Sequence, residues 1–280
     1  MLALYITLSV ANQTSMPTVE PYFREAGAGP SVVCLHSNAS SSSQRRGLIE
    51  LLSTDHHVLA PDLYGSGKSA DWHSDRQIAL SDEVSFIEPV LARAGEGFSL
   101  VGHSYGGAVA LIAALASPSR VRSLVLYEPT LFSLVANRQP SLGSVEGIQN
   151  AVRAASAALD VGNRDAAAEH FIDFWMGKGS WLNTPDSRKG PIVESVVNVR
   201  RWSHALFSEP MPLDSFASLS MPVLYLLGQD SPESARSVER VLSLTLPNVS
   251  VVKVEGWGHM APITRAESVN ARIAEFVREV

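Results

Sequence analysis

Four short apolar runs, "SVVCLHS" (31–37), "HHVLAPDL" (56–63), "FSLVGHS" (98–104) and "VRSLVLYEP" (121–129), alternate with stretches of helical spacing at 44–53, 80–93 and 107–117. The runs are β-branched and leucine-rich, apolar at consecutive positions, and end in turn residues. A strand of that kind must bury both faces, which a parallel sheet achieves when crossover helices cover each side. "PVLYLLG" (222–228) and "VSVVKVEG" (249–256) resume the rhythm, and "ESVNARIAEFV" (267–277) closes it with an amphipathic helix. The expected class is α/β, a mostly parallel sheet flanked by helices.

Residues 132–212 interrupt this alternation. "VEGIQNAVRAASAALD", "RDAAAEHFIDFWMG" and "IVESVVNVRRWSHALF" all read as helices, with no strand between them, and Pro129 and "SEPMPLD" (208–214) punctuate the ends. The expected organisation is a core built from 21–131 and 213–280, with a helical cap at 132–212.

Composition narrows the function classes. Hydrophobic residues at 45% and charged residues at 18% describe an ordinary globular chain, and a formal net charge of −6 supplies no basic footprint. Nucleic-acid and membrane partners are therefore not expected. Cys34 is the single cysteine, so an intrachain disulfide and a cysteine metal cluster are both out of reach, and its apolar setting marks it as a small buried hydrophobe. The N-terminal "LALYITLSVA" is too short to span a bilayer and no Lys or Arg precedes Arg24. Residues 1–20 are expected to be a poorly ordered or extended N-terminus, with Met16 as an alternative start, in a cytoplasmic protein.

"DLYGSGKSADW" (62–72) contains Gly67-Lys68-Ser69, the end of a phosphate-binding P-loop. The motif needs its first glycine at position 62, where Asp62 stands, and a carboxylate there repels phosphate. Lys68 then reads as a solvated charge.

"LVGHSYGG" places Gly102-His103-Ser104-Tyr105-Gly106 between a strand and an Ala-rich helix, the one context in which G-x-S-x-G has mechanical meaning. A sharp turn holds the Ser104 hydroxyl out at the carboxyl edge of the sheet. Serine is a weak nucleophile until a base takes its proton and an acid orients that base. His259, in "VEGWGHMAP" just past the last strand, sits on the same edge and is the expected base. Asp230 in "LLGQDSPE" is the expected acid, giving the chain order Ser, Asp, His; Glu128, ending "LVLYE", is the alternative. The oxyanion requires two fixed donors, the backbone N–H of Tyr105 and that of Asn38 in the loop after "VVCLHS". His36 reads as a hydrogen bonder that orders that loop.

Taken in order, "LHSN", "DLYGSGKS", "GHSYGG", "PVLYLLGQD" and "GWGHMAP" resemble the α/β-hydrolase superfamily from about Tyr22 onward, in the group with a helical cap. The resemblance implies an eight-stranded sheet with the cap inserted after the sixth strand, a Ser104–Asp230–His259 triad and an oxyanion hole from Asn38 and Tyr105. Relatives usually read His-Gly where this chain has His36-Ser37, and their acid usually follows a slightly longer turn, which keeps Glu128 open. The "His-Gly-Ser-Gly-Pro-Gly" run typical of carbon–carbon bond hydrolases is absent. A serine at position 104 disfavours haloalkane dehalogenase and epoxide hydrolase chemistry, which needs a carboxylate nucleophile.

The cap segment carries Phe171, Phe174, Trp175, Met176, Trp181, Trp202 and Phe207. That aromatic density suggests an apolar pocket, with Trp175, Trp181, Trp202 and Phe174 as candidate substrate contacts. Arg45, Arg200 and Arg201 could meet an acidic substrate group, although surface charges need no such role. The expected activity is hydrolysis of a small or medium carboxylic ester or lactone through an acyl-enzyme on Ser104, with no cofactor or metal and a small-molecule substrate; a homodimer is left open. Carbon–carbon bond hydrolysis, amide hydrolysis and cofactor-free perhydrolysis share these residues, and a ligand sensor with negligible turnover is the alternative of another class.

Overall fold

Continuous burial of β-branched and leucine side chains along the inner strands builds one central sheet. The structure, a computed structural model, describes residues 20–136 and 143–280, so the expectation for residues 1–19 lies outside the described residues. The strands are β1 (Phe23–Ala26), β2 (Ser31–Leu35), β3 (His57–Pro61), β4 (Phe98–His103), β5 (Val121–Tyr127), β6 (Val223–Gly228) and β7 (Val249–Val254), in the order β1-β3-β2-β4-β5-β6-β7. All neighbours pair in parallel except β1 with β3. Among the described residues the sheet has seven strands, not eight: the short antiparallel β1 forms its edge, Phe23 registering with Pro61.

Helices cover both faces. They are α1 (Arg46–Leu52), α2 (Leu80–Ala94), α3 (Tyr105–Ala116), α4 (Ser133–Ala136), α5 (Glu146–Asp160), α6 (Arg164–Met176), α7 (Asp186–Val196), α8 (Val199–Phe207), α9 (Glu233–Thr245), α10 (Ala261–Thr264) and α11 (Ala266–Glu279). Successive strand residues point to opposite faces. Val33, Leu59, Leu100 and Leu124 accordingly pack in one cluster with residues of α2 and α3, while Val32, Val58, Val101 and Val125 pack in another with residues of α1 and α11. Cys34 joins the second cluster, fully buried, and burial pushes its thiol up to about 12. Helix α3 is buried on nearly every side, and its small residues let it lie close against the sheet.

The helices α4 to α8 lie between β5 and β6, and so follow the fifth described strand. One long helix expected near 192–207 is instead the pair α7 and α8, broken at Val197 and Asn198, and α9 was not anticipated. Among the described residues no helix is long and apolar enough to cross a membrane. Strands β2 to β7 run the same way, so the residues following β4, β5, β6 and β7 gather along one edge. These are Ser104, Glu128, Asp230 and His259.

Candidate active site

Ser104 occupies the turn between β4 and α3 with φ 55° and ψ −118°, a conformation that costs a non-glycine residue of order 1–3 kcal/mol. The surrounding backbone holds it there. Ser104 N–H donates to the Tyr127 carbonyl at 3.0 Å, and the Ser104 carbonyl accepts from Ala108 N–H at 3.0 Å and Thr130 N–H at 3.3 Å. Gly106 makes the turn sterically feasible, because a Cβ there would lie 2.8 Å from the Leu35 carbonyl carbon.

Ser104 Oγ stands 3.0 Å from His259 Nε2, and Glu128 Oε2 stands 2.7 Å from His259 Nδ1. Glu128 is fully buried at positive φ just beyond β5, and its Oε1 also accepts from Gly228 N–H at 2.7 Å and from Ser231 Oγ–H at 2.6 Å. Three donors thus compensate the buried carboxylate, which otherwise would be costly. The expected acid, Asp230, is not at the histidine. Its side chain is exposed, and only its backbone N–H reaches the histidine loop, donating to the Trp257 carbonyl at 3.0 Å. Strand β6 lies one strand further from β4 and its Asp230 is exposed, whereas β5 is the direct neighbour of β4 and delivers residue 128 beside the serine.

Three consecutive carbonyls of the histidine loop are pinned from below. Trp257 O accepts from Asp230 N–H, Gly258 O from the Tyr127 hydroxyl at 2.8 Å, and His259 O from His103 Nε2–H at 2.9 Å. His103 is fully buried, and its Nδ1 accepts from the Gln44 amide at 2.8 Å. Burial, reinforced by nearby His259, holds its imidazole well below the usual histidine range, so His103 is neutral and carries its proton on Nε2. Gln44 continues the chain, accepting from Ser37 N–H at 2.9 Å. The loop carrying Asn38 and the loop carrying His259 are therefore tied together through His103. Neither His103 nor Gln44 is among the residues expected from the sequence, since their partners lie 156 and 59 residues away along the chain.

His36 orders the same loop from its other side. Its Nδ1 bonds the Ser37 carbonyl at 2.8 Å and its Nε2 accepts from Leu63 N–H at 3.0 Å, with burial lowering its pKa. Asp62 closes the glycine turn, accepting from Ser42 N–H and Lys68 N–H, while a Cβ at Gly67 would collide with its carboxylate. The Lys68 side chain is exposed. Tyr105 begins α3, where early N–H groups lack intrahelical acceptors. Its hydroxyl donates to buried Glu83 at 3.1 Å.

Trp175 from α6 stacks on the His259 ring, 3.8 Å between centroids at 23°. It lines the space at Ser104 together with Asn38 and Phe171, and Trp202 lines the inner part. Trp181 is buried and Phe174 packs edge-on against Trp175; neither lines a cavity at Ser104. The arginines are committed elsewhere: Arg45 to the Leu35 carbonyl, Arg200 to Asp160, and Arg201 to Asp71 and Asn198.

Residues 30–266 match the alpha/beta hydrolase fold family. Over 115 residues, 41% of this chain, the sequence is 34% identical to the "Serine hydrolase-like protein" of Homo sapiens, and the match spans little more than half, 57%, of that relative. Over 275 residues it is 25% identical to the pimeloyl-[acyl-carrier protein] methyl ester esterase of Vibrio parahaemolyticus, covering 92% of this chain and 98% of that one. An esterase from Exiguobacterium antarcticum shares the fold at a TM-score of 0.76 and 17% identity, over 92% of this chain and 95% of that chain.

Proposed function

This chain belongs to the alpha/beta hydrolase fold family, and from that premise we propose that it is a serine hydrolase that cleaves small or medium carboxylic esters, lactones included. The observation that carries the reading is the continuous chain from Ser104 Oγ through His259 to Glu128, at 3.0 and 2.7 Å. His259 Nε2 takes the hydroxyl proton as Ser104 attacks the ester carbonyl. Glu128 accepts from Nδ1–H, fixes the tautomer and stabilises the imidazolium that forms. The backbone N–H groups of Tyr105 and Asn38 receive the oxyanion, donors fixed before charge develops.

The imidazolium then gives its proton to the departing alkoxide, and the same nitrogen activates water to release the acid. Trp175, stacked on His259, shields the imidazole from bulk water, and α5 to α8 serve as the cap that closes over the reacting ester. Ester cleavage by the Vibrio relative, whose name records a methyl ester substrate, is consistent with this assignment. A fluorophosphonate probe and p-nitrophenyl acetate test it: wild type should label and turn over, and Ser104→Ala should do neither. A wild type inert to both refutes the proposal.

A further inference from the structure

The space around Ser104 Oγ is divided unequally. On one side opens a cleft of about 650 Å³, whose lining includes His259, Met260 and Ile263. On the other lies a pocket of about 20 Å³ walled by Phe132, Ile148, Trp202, Leu206 and Phe207. Asn38, Phe171 and Trp175 border both spaces, but His259 lines only the larger.

That asymmetry assigns the two halves of an ester. In acyl-enzyme formation the serine oxygen bonds the carbonyl carbon, the carbon–oxygen bond to the alcohol breaks, and the imidazolium delivers its proton to the leaving oxygen. The alcohol must therefore lie on the histidine side, in the large cleft, and the acyl chain in the small pocket. One water molecule needs roughly 10–15 Å³ of such space, so the pocket takes one or two heavy atoms beyond the carbonyl.

The cleft lining includes Ser40, Ser43, Ser180, Asn183, Thr184 and Ser187, and its Arg188 and Glu194 are of opposite sign. With Ile172, Met176, Ile192 and Met260 among these polar groups, such a surface suits a large, uncharged alcohol that presents both hydroxyl groups and apolar faces, as a sugar ring does. Resting on the serine-hydrolase reading above, we infer that this protein removes a two- or three-carbon acyl group from a sugar-sized polyhydroxy alcohol.

Two features of the small pocket sharpen this assignment. Val152, Ser203 and Phe207 line both the pocket and an open groove of about 540 Å³ on the outer side of the cap helices, so these three side chains are the wall that limits acyl length. Thr130 also lines the pocket; it is 1% exposed, and its hydroxyl has no hydrogen-bond partner among the described residues. A buried hydroxyl of that kind favours an occupant with a polar atom. A glycolyl ester should then be preferred over its isostere, the propionyl ester.

The experiment compares 4-methylumbelliferyl acetate, glycolate, propionate, butyrate and octanoate, with fluorophosphonate labelling as a control for the active serine. The expected kcat/KM falls roughly 10-fold or more from acetate to butyrate and further to octanoate, and glycolate exceeds propionate by about 10-fold in wild type but not in Thr130→Val. Phe207→Ala should raise the octanoate-to-acetate ratio about 10-fold by opening the wall, and Val152→Ala provides the same reading if that variant fails to fold. Acetate release should be faster from glucose 6-acetate than from hexyl acetate. An enzyme that labels yet cleaves octanoate as readily as acetate, or prefers hexyl acetate, overturns this inference and leaves the serine-hydrolase reading intact. A wild type that does not label overturns that reading instead.

Discussion

Glu128 Oε2 lies 2.7 Å from His259 Nδ1 in a fully buried pair, while Asp230, one strand further along the same edge, meets the histidine loop only through its backbone N–H. The two carboxylates can therefore be separated by isosteric amides. Glu128→Gln should lower kcat by ~10³- to 10⁴-fold, because the amide no longer enforces the Nδ1–H tautomer or stabilises the imidazolium. Asp230→Asn should stay within about twofold of wild type, as an exposed side-chain change does. Steady-state kinetics on p-nitrophenyl acetate distinguish them, and the opposite ranking would return Asp230 to the catalytic position.

His103 links the Asn38 loop to the His259 loop through Gln44. His103→Phe keeps an aromatic ring in the buried site but removes both hydrogen bonds. A catalytic loop displaced by a fraction of an ångström should lose roughly 10- to 100-fold in kcat with KM little changed. Gln44→Leu should shift the same parameter less. A rise in KM at constant kcat, measured on the folded variant, would contradict a positioning role.

Burial pushes the Glu83 carboxyl up to about 7, against partial relief from Tyr64 N–H and the Tyr105 hydroxyl. A carboxyl with a raised folded-state pKa contributes stability that is present in full below its unfolded value and is lost as pH rises through about 7. Relative to Glu83→Gln, wild type should lose roughly 3 kcal/mol between pH 4.5 and pH 8. Urea denaturation at several pH values reads the difference, and parallel curves for the two proteins would show that Glu83 ionises freely in the fold.

At Gly106 an added methyl meets the Leu35 backbone rather than a movable side chain. Gly106→Ala should therefore cost roughly 1–3 kcal/mol in thermal or chemical unfolding, the range for overpacking. It should also displace Ser104 and slow fluorophosphonate labelling. Unchanged labelling in a destabilised Gly106→Ala protein would show that the elbow tolerates the shift.

What could be read from the chain follows from how local each feature is. The G-x-S-x-G turn is specified by five consecutive residues between a strand and a helix, so Ser104 was legible, and so was His259 in its Gly-rich loop beyond β7. The glycine turn at 65–67 was legible for the same reason, Asp62 accepting hydrogen bonds where a nucleotide site would need glycine. His103 and Gln44 were not, because their partners lie 156 and 59 residues away and no local pattern announces such pairs. The break between α7 and α8 was also hidden, since both halves carry apolar residues at helical spacing.

The acid marks the boundary between the two kinds of information. Sequence alone determined that carboxylates would follow β5 and β6, and that both would stand on the edge shared with Ser104 and His259. Only the tertiary structure brings one of them, Glu128, to the histidine. Strand β5 lies directly beside β4, Glu128 turns inward at positive φ, and Gly228 N–H and Ser231 Oγ–H complete its solvation, while the turn after β6 sends the Asp230 side chain to water. A buried charge survives where donors from several distant segments converge on it, and that convergence exists only once the chain is folded.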